Sequence, residues 1–336
     1  MNALQPSFEH VASMCDDVGM FEHAHHAEPR VEGGYCTDDM ARLLIAVCRH
    51  PDVDGTVLGL ARLAYRFLAD AQGVDGRVRN RRSPGGRWRD RRVVEDAWGR
   101  TMWAFGTASA RASHPWMREG ATSSFTRGLE QRSTWPRAMA FAGLGAAEVL
   151  SRAPRHTGAQ LLLADTVDII GRPRRDARWP WPEPRLTYAN AAIPEVLIAA
   201  GQLLDRPDVL DDGLTLLGWL LERETVDGHL SPTCSTGAGP DDRAPMFDQQ
   251  PIEVATMADA CARAFAVTGD HTWSDGELRC IRWFLGANDV GVAMHDDRCA
   301  AFDGLEVDGV NLNQGAESTL ALITTLQHGY HWATST

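Results

Sequence analysis

Lysine is missing from this chain of 336 residues: all 33 basic side chains are arginine. That excludes a Schiff-base lysine, a phosphate-loop lysine and a lysine general base, although biased genomic composition produces the same absence. Arginine stays charged and suits two-pronged gripping of carboxylates. Cysteine is sparse: residues 15, 36, 48, 234, 261, 280 and 299 form an odd set without a C-x-x-C pair. The thiols therefore read as reduced, with no disulfide framework and no zinc site. No run of about eighteen apolar residues occurs, and Met1-Asn2-Ala3-Leu4-Gln5-Pro6 lacks the basic-then-apolar build of a signal peptide. The expected setting is cytoplasmic, with no membrane partner. Nucleophile elbow, P-loop and G-x-G-x-x-G runs are all lacking, so acyl-transfer and nucleotide chemistry have no support and no cofactor is expected.

What the chain has in excess is acid. Against the 33 arginines stand 45 Asp and Glu, a formal charge of −12, which disfavours nucleic acid as a partner and favours neutral or cationic ones. Hydrophobic content of 44% is enough for a sizeable core. Apolar residues recur at helical spacing and alternating β-branched runs are scarce, so the chain reads as all-α. The pattern predicts helices near 7–20, 38–50, 57–72, 94–111, 117–131, 136–151, 158–171, 188–205, 208–224, 249–269, 274–289 and 314–329.

Every second helix from the second onward opens on polar residues and then runs into small apolar ones. The openings begin at Thr37-Asp38-Asp39, Glu95-Asp96, Trp135-Pro136-Arg137, Tyr188-Ala189-Asn190, Asp248-Gln249-Gln250 and Asn313-Gln314-Gly315-Ala316-Glu317. The intervening helices are ordinary amphipathic ones with one solvated face. Helix pairs recurring at this spacing predict an (α/α)6 toroid, six hairpins closed into an inner and an outer ring, as a single domain over 1–336. The polar first turns then converge at one end. Asp, Asn and Thr also serve as helix caps, but six openings carry more acids, amides, Arg and Trp than caps require.

Glycosidic hydrolysis commonly uses two carboxyls, one protonated and one ionised, because the leaving oxygen needs a proton while the anomeric carbon is attacked. Asp38, Asp39, Glu95, Asp96, Asp248, Glu253 and Glu317 are the catalytic candidates. Neighbours on a helix point about 100° apart, so one member of each adjacent pair is expected to cap or brace. Sugars present apolar faces and hydroxyl edges, which makes Trp179 and Trp181 in the Pro-rich loop candidate platforms. Tyr35, Tyr188, Asn190, Gln249, Gln250, Asn313 and Gln314 are candidates for holding the substrate, and Arg42, Arg100 and Arg137 for bracing carboxylates. Residues 77–92 carry eight arginines, read equally as a binder of acidic sugar or phosphate and as a solvated loop. His23, His25 and His26 lack a matching ligand set, so no metal is expected and a structural or substrate-contact role stands.

The openings at Gly34–Arg42, Glu95–Arg100, Asp248–Glu253 and Asn311–Ser318 together resemble a group of bacterial proteins with a six-hairpin glycosidase-like toroid. Members of that group are often encoded beside, or fused to, glycosyltransferases. The resemblance spans roughly 20–330. It implies a carbohydrate substrate and a glycosyltransferase as a possible partner. Met40 stands where the group leads one to expect Asn, and Ala97-Trp98 where it leads one to expect Ser-His. The combined expectation is a metal-independent glycoside hydrolase, inverting, acting on a bacterial oligo- or polysaccharide with a mannose-type sugar. The alternatives are a sugar epimerase or isomerase, which needs a basic group such as histidine in the cavity, and a noncatalytic carbohydrate-binding partner of a glycosyltransferase.

Overall fold

A computed structural model describes residues 4–334, with side chains as far as Gly329. Twelve helices make up the frame: α1 Glu9–Ser13, α2 Thr37–Arg49, α3 Gly55–Ala71, α4 Asp96–Arg111, α5 Pro115–Gly128, α6 Pro136–Arg152, α7 Thr157–Ile170, α8 Ala192–Leu203, α9 Pro207–Arg223, α10 Pro251–Thr268, α11 His271–Phe284 and α12 Ala316–Thr334. Each predicted helix has its counterpart. The first is much shorter than 7–20, because Asp16 Oδ1 accepts the amides of Val18 and Gly19 and turns the chain.

The even-numbered helices pack in sequence, and α12 returns to α2, which closes an (α/α)6 toroid. Each odd-numbered helix lies outside an inner one. Burial separates the layers: every residue of α6 from Arg137 to Leu150 is buried, whereas α3 buries Val57, Leu60, Ala61, Ala64, Phe67, Leu68 and Ala71, one stripe at helical spacing. Inner helices must touch neighbours on several sides, and small residues permit it. A Cβ added at Gly99 of α4 would collide with the Ala138 carbonyl of α6, and one at Gly106 with the Gly145 carbonyl. Short two-stranded ladders ornament the loops, one of which pairs Tyr35 and Cys36 with Arg82 and Arg81. Among the described residues no helix is long and apolar enough to cross a membrane.

Candidate active site

The starts of α2, α4 and α12 converge on one mouth of the ring and enclose a cavity of about 390 Å³. Six carboxyls line it: Glu22, Asp38, Asp39, Asp96, Asp303 and Glu317. Three arginines, Arg42, Arg81 and Arg100, face them, together with His23, Cys36, Tyr188, Gln250 and Ser318. The polar openings are not spent on capping. None of α2, α4, α6, α8 and α10 has a side-chain hydrogen bond at its N-cap; of the outer helices, α3, α7 and α11 are capped by Asp54, His156 and Asp270, and α1, α5 and α9 are not.

Asp38 and Asp39 both reach the cavity, contrary to the expectation that one would turn away. The cavity sits over the end of α2 rather than along its side, so consecutive first-turn residues share it. Asp39 Oδ1 accepts from Arg42 Nη1 at 2.5 Å, and the other prong of Arg42 grips Glu317. Burial pushes the Asp39 carboxyl up to about 7; Arg42 opposes this, while the charges of Glu317, Glu22 and Asp38 add to it. Asp38 Oδ1 is buried with no hydrogen-bond partner, 3.6 Å from Arg100 Nε, and Arg100 Nη2 is equally unpartnered. Arg100 lies over the Phe141 ring at 3.9 Å, and burial followed by the charge of Arg42 lowers its affinity for its proton. Burial also raises Asp96, against the pull of Arg100. The oxygens of Glu22 and Asp39 and the sulfur of Cys36 lie within 4.8 Å of one another, a geometry open to metal ligation. Arg81 and Arg42 already grip those two carboxylates, so guanidinium groups supply the positive charge there.

A second cavity of about 690 Å³ adjoins the first and shares Arg81, Asp96 and Tyr188 with it. Glu95 and Arg137 open onto this second cavity and not the first. The remaining expected site residues are elsewhere. Glu253 is buried and accepts the backbone amides of Ala189 and Asn190 and the Asn190 side chain, so it braces the turn leading into α8. Asn190 serves the same brace, accepting from Arg137 Nη2 at 2.9 Å and from Thr187 N at 3.0 Å. Asp248 lines neither cavity; its carboxyl packs on Gly304, and burial with the nearby charges of Glu306 and Asp303 lifts it to about 6. Gln249 is fully buried, donating to Asp289 and accepting from the Trp283 indole, because its strand-like backbone faces it inward. Gln314 is buried and donates to the Ala300 carbonyl, and Asn313 accepts the His26 amide.

The aromatic expectations also need correction. Trp179 and Trp181 are buried against Trp219, held in place by the Pro-rich loop folding back on α9, and Tyr35 is stacked on Phe21 with its hydroxyl donating to Asp16. Of the arginine-rich stretch, Arg81 pairs with Glu22 and Arg82 with Asp70. Glu22 and Asp303 lie in loops and escape the sequence pattern, whereas Cys36 and Ser318 stand within the patterned openings and were not singled out from them. Arg81 was visible only as one of eight, and Trp135 only as a residue near an opening.

No family model and no curated protein sequence matches the chain. Solved structures do match it in fold. A sugar epimerase from a ruminal bacterium aligns with TM-score 0.71 at 10% identity, over 95% of each chain. Cellobiose 2-epimerase from Bacillus thermoamylovorans B4167 aligns with TM-score 0.70 at 11% identity, over 97% of this chain and 96% of that one. The GH76A alpha-1,6-mannanase from Salegentibacter sp. HEL1_6 aligns with TM-score 0.63 at 9% identity, over 96% and 98%. These proteins are (α/α)6 toroid enzymes acting on sugars, and the chain shares their fold.

Proposed function

We propose that the protein is a glycoside hydrolase working on an oligo- or polysaccharide, with Asp39 as general acid and Asp38 as general base. The observation that carries this reading is the raised Asp39 carboxyl, at about 7, in one cavity with an Asp38 oxygen that has Arg100 at 3.6 Å and no hydrogen bond. A carboxyl of that kind stays protonated near neutral pH and has a proton to give to the leaving oxygen. Asp38 then draws the proton from the attacking water, while Arg100 balances its charge. Arg42 pairs with both Asp39 and Glu317, and cleavage with inversion is the outcome we assign by analogy with the fold alone. A mannose-type bacterial glycan remains the first substrate to try, in a cytoplasmic setting beside a glycosyltransferase. No metal or cofactor is assigned a step.

Epimerisation is the second reading, and the similarity to sugar epimerases and to D-mannose isomerase favours it. It needs a base to take the carbon-bound proton, and His23 is the histidine on the cavity wall. Its side chain is 57% exposed at the rim, with Glu22 at 3.7 Å. A wall of six carboxyls with one rim histidine suits acid–base cleavage better than proton shuttling. Incubating the protein with α- and β-linked mannans, glucans and their oligosaccharides, read by mass spectrometry and by chromatography that separates epimers, tests the assignment. Shorter sugars support hydrolysis, products of unchanged mass support epimerisation, and binding without either product supports a noncatalytic carrier.

A further inference from the structure

We infer that the cavity of about 690 Å³ beside the carboxylate pocket is a second sugar subsite, and that the ligand is an uncharged chain of several sugar units crossing both. This rests on the carbohydrate reading above but not on hydrolysis. The two cavities share Arg81, Asp96 and Tyr188, so a chain seated over Asp38 and Asp39 leaves the pocket past those three residues. Along that exit stands Trp135, 59% exposed. Its backbone is fixed at the start of α6, with Pro136 next in the chain and its amide donating to Ser133 Oγ. An exposed indole on an anchored backbone is a ready platform for the apolar face of a sugar ring.

Hydroxyl edges find partners in the same cleft. Tyr188 Oη is buried and has no hydrogen-bond partner, and Arg137 Nη1 and Glu183 Oε2 lie 2.8 Å apart as an ion pair without a hydrogen bond of good geometry. A hydroxyl accepts from Tyr188 or Arg137 and donates to Glu183. Charge selects the ligand class: Asp90, Glu95, Asp96 and Glu183 outnumber Arg81 and Arg137, as acids outnumber arginines in the first cavity. An acidic sugar is repelled along the whole path, whereas a neutral one is accepted.

The experiment is a binding series on the Asp39→Asn protein, which holds ligand without turning it over. Isothermal titration uses α-1,6-manno-oligosaccharides and cello-oligosaccharides of one to five units, with oligogalacturonides of matched length as the acidic control. Affinity is expected to rise with chain length in one neutral series and to be absent for the acidic one. Trp135→Ala is expected to remove about tenfold from the longer ligands, and Trp135→Phe to restore part of it. Equal affinity at all lengths, no binding in either neutral series, preference for the acidic chain or an unchanged series in Trp135→Ala overturns the inference. Length-dependent binding with no cleavage by the unaltered protein overturns only the hydrolase reading, and cleavage without length dependence overturns only the second subsite.

Discussion

The two mouths of the ring are built from the same ingredients and used differently. At the mouth where the inner helices start, six carboxyls face three arginines. Asp38 keeps an oxygen without a hydrogen bond, and neither Asp96 nor Asp303 has an arginine within ion-pair reach among the described residues. At the opposite mouth a cavity of about 260 Å³ is lined by three arginines and three acids. There Arg49 meets Asp259 at 2.9 Å, Arg111 meets Glu148 at 2.7 Å and Arg263 meets Glu195 at 3.0 Å, while His328 adds a contact of 2.6 Å to Asp259. Between the mouths Ile45, Trp103, Ile252 and Leu320 narrow the axis. Matched buried charges hold a structure in place, whereas surplus acid leaves carboxylate oxygens without hydrogen-bond partners. The proposed function places the chemistry at the first mouth, where the charges are unmatched.

Breaking the comparison at each end should give opposite results. Asp39→Asn and Asp38→Asn are each expected to lower turnover by about a hundredfold to ten-thousandfold while leaving thermal unfolding near the unaltered value, checked by initial rates and calorimetry. Arg49→Met at the paired mouth is expected to cost about 3–5 kcal/mol of folding stability, because it leaves Asp259 and Glu148 buried without their shared cation. Chemical denaturation reads that loss, and turnover per folded molecule should stay unchanged. Were Asp39→Asn to unfold the protein and Arg49→Met to abolish turnover, the assignment of the two mouths would be reversed.

A third change probes the brace between α10 and α8. Glu253→Ala is expected to destabilise by about 1–3 kcal/mol, since it strands the Ala189 and Asn190 amides in a buried turn. Retained stability would return Glu253 to the list of candidate catalytic groups.

The helical frame was open to reading from the sequence because its signals are local and repeated: stripes for the outer helices, polar starts and small residues for the inner ones. Asp38, Asp39, Asp96, Glu317, Arg42 and Arg100 carry that pattern, and they do meet in one cavity. What the pattern could not tell was which polar residues at an opening face outward. Gln249 and Gln250 are neighbours, yet the first is buried among Asp289 and Trp283 and the second lines the cavity. Trp179 and Trp181 had every sequence feature of exposed platforms and instead fill a gap against Trp219, a matter of tertiary packing. Glu22 and Asp303 enter from loops distant in sequence, and no periodicity announces them.

The smallest expected effects are in pH dependence, where burial acts at both mouths. Burial raises Asp39, Glu253 and Glu195 to about 7 and Glu224 to about 8, so between pH 5 and 8 the folded protein holds protons that the unfolded chain has released. Unfolding temperature should therefore fall as pH rises through that window, with His50, lowered by burial, opposing as a single group. Turnover should fall on the alkaline side near 7 as Asp39 loses its proton. A rate that keeps climbing through pH 8 would remove Asp39 from the role of acid.

The central claim is that this cavity cleaves a glycosidic bond with water under the control of Asp39, and heavy-oxygen water tests it most directly. Reaction of an oligosaccharide in such water, followed by mass spectrometry, should place one heavy oxygen on the newly exposed anomeric carbon of a shortened product, and Asp39→Asn should leave the substrate intact. A product of unchanged length and mass, or equal labelling by the Asp39→Asn protein, would contradict the account.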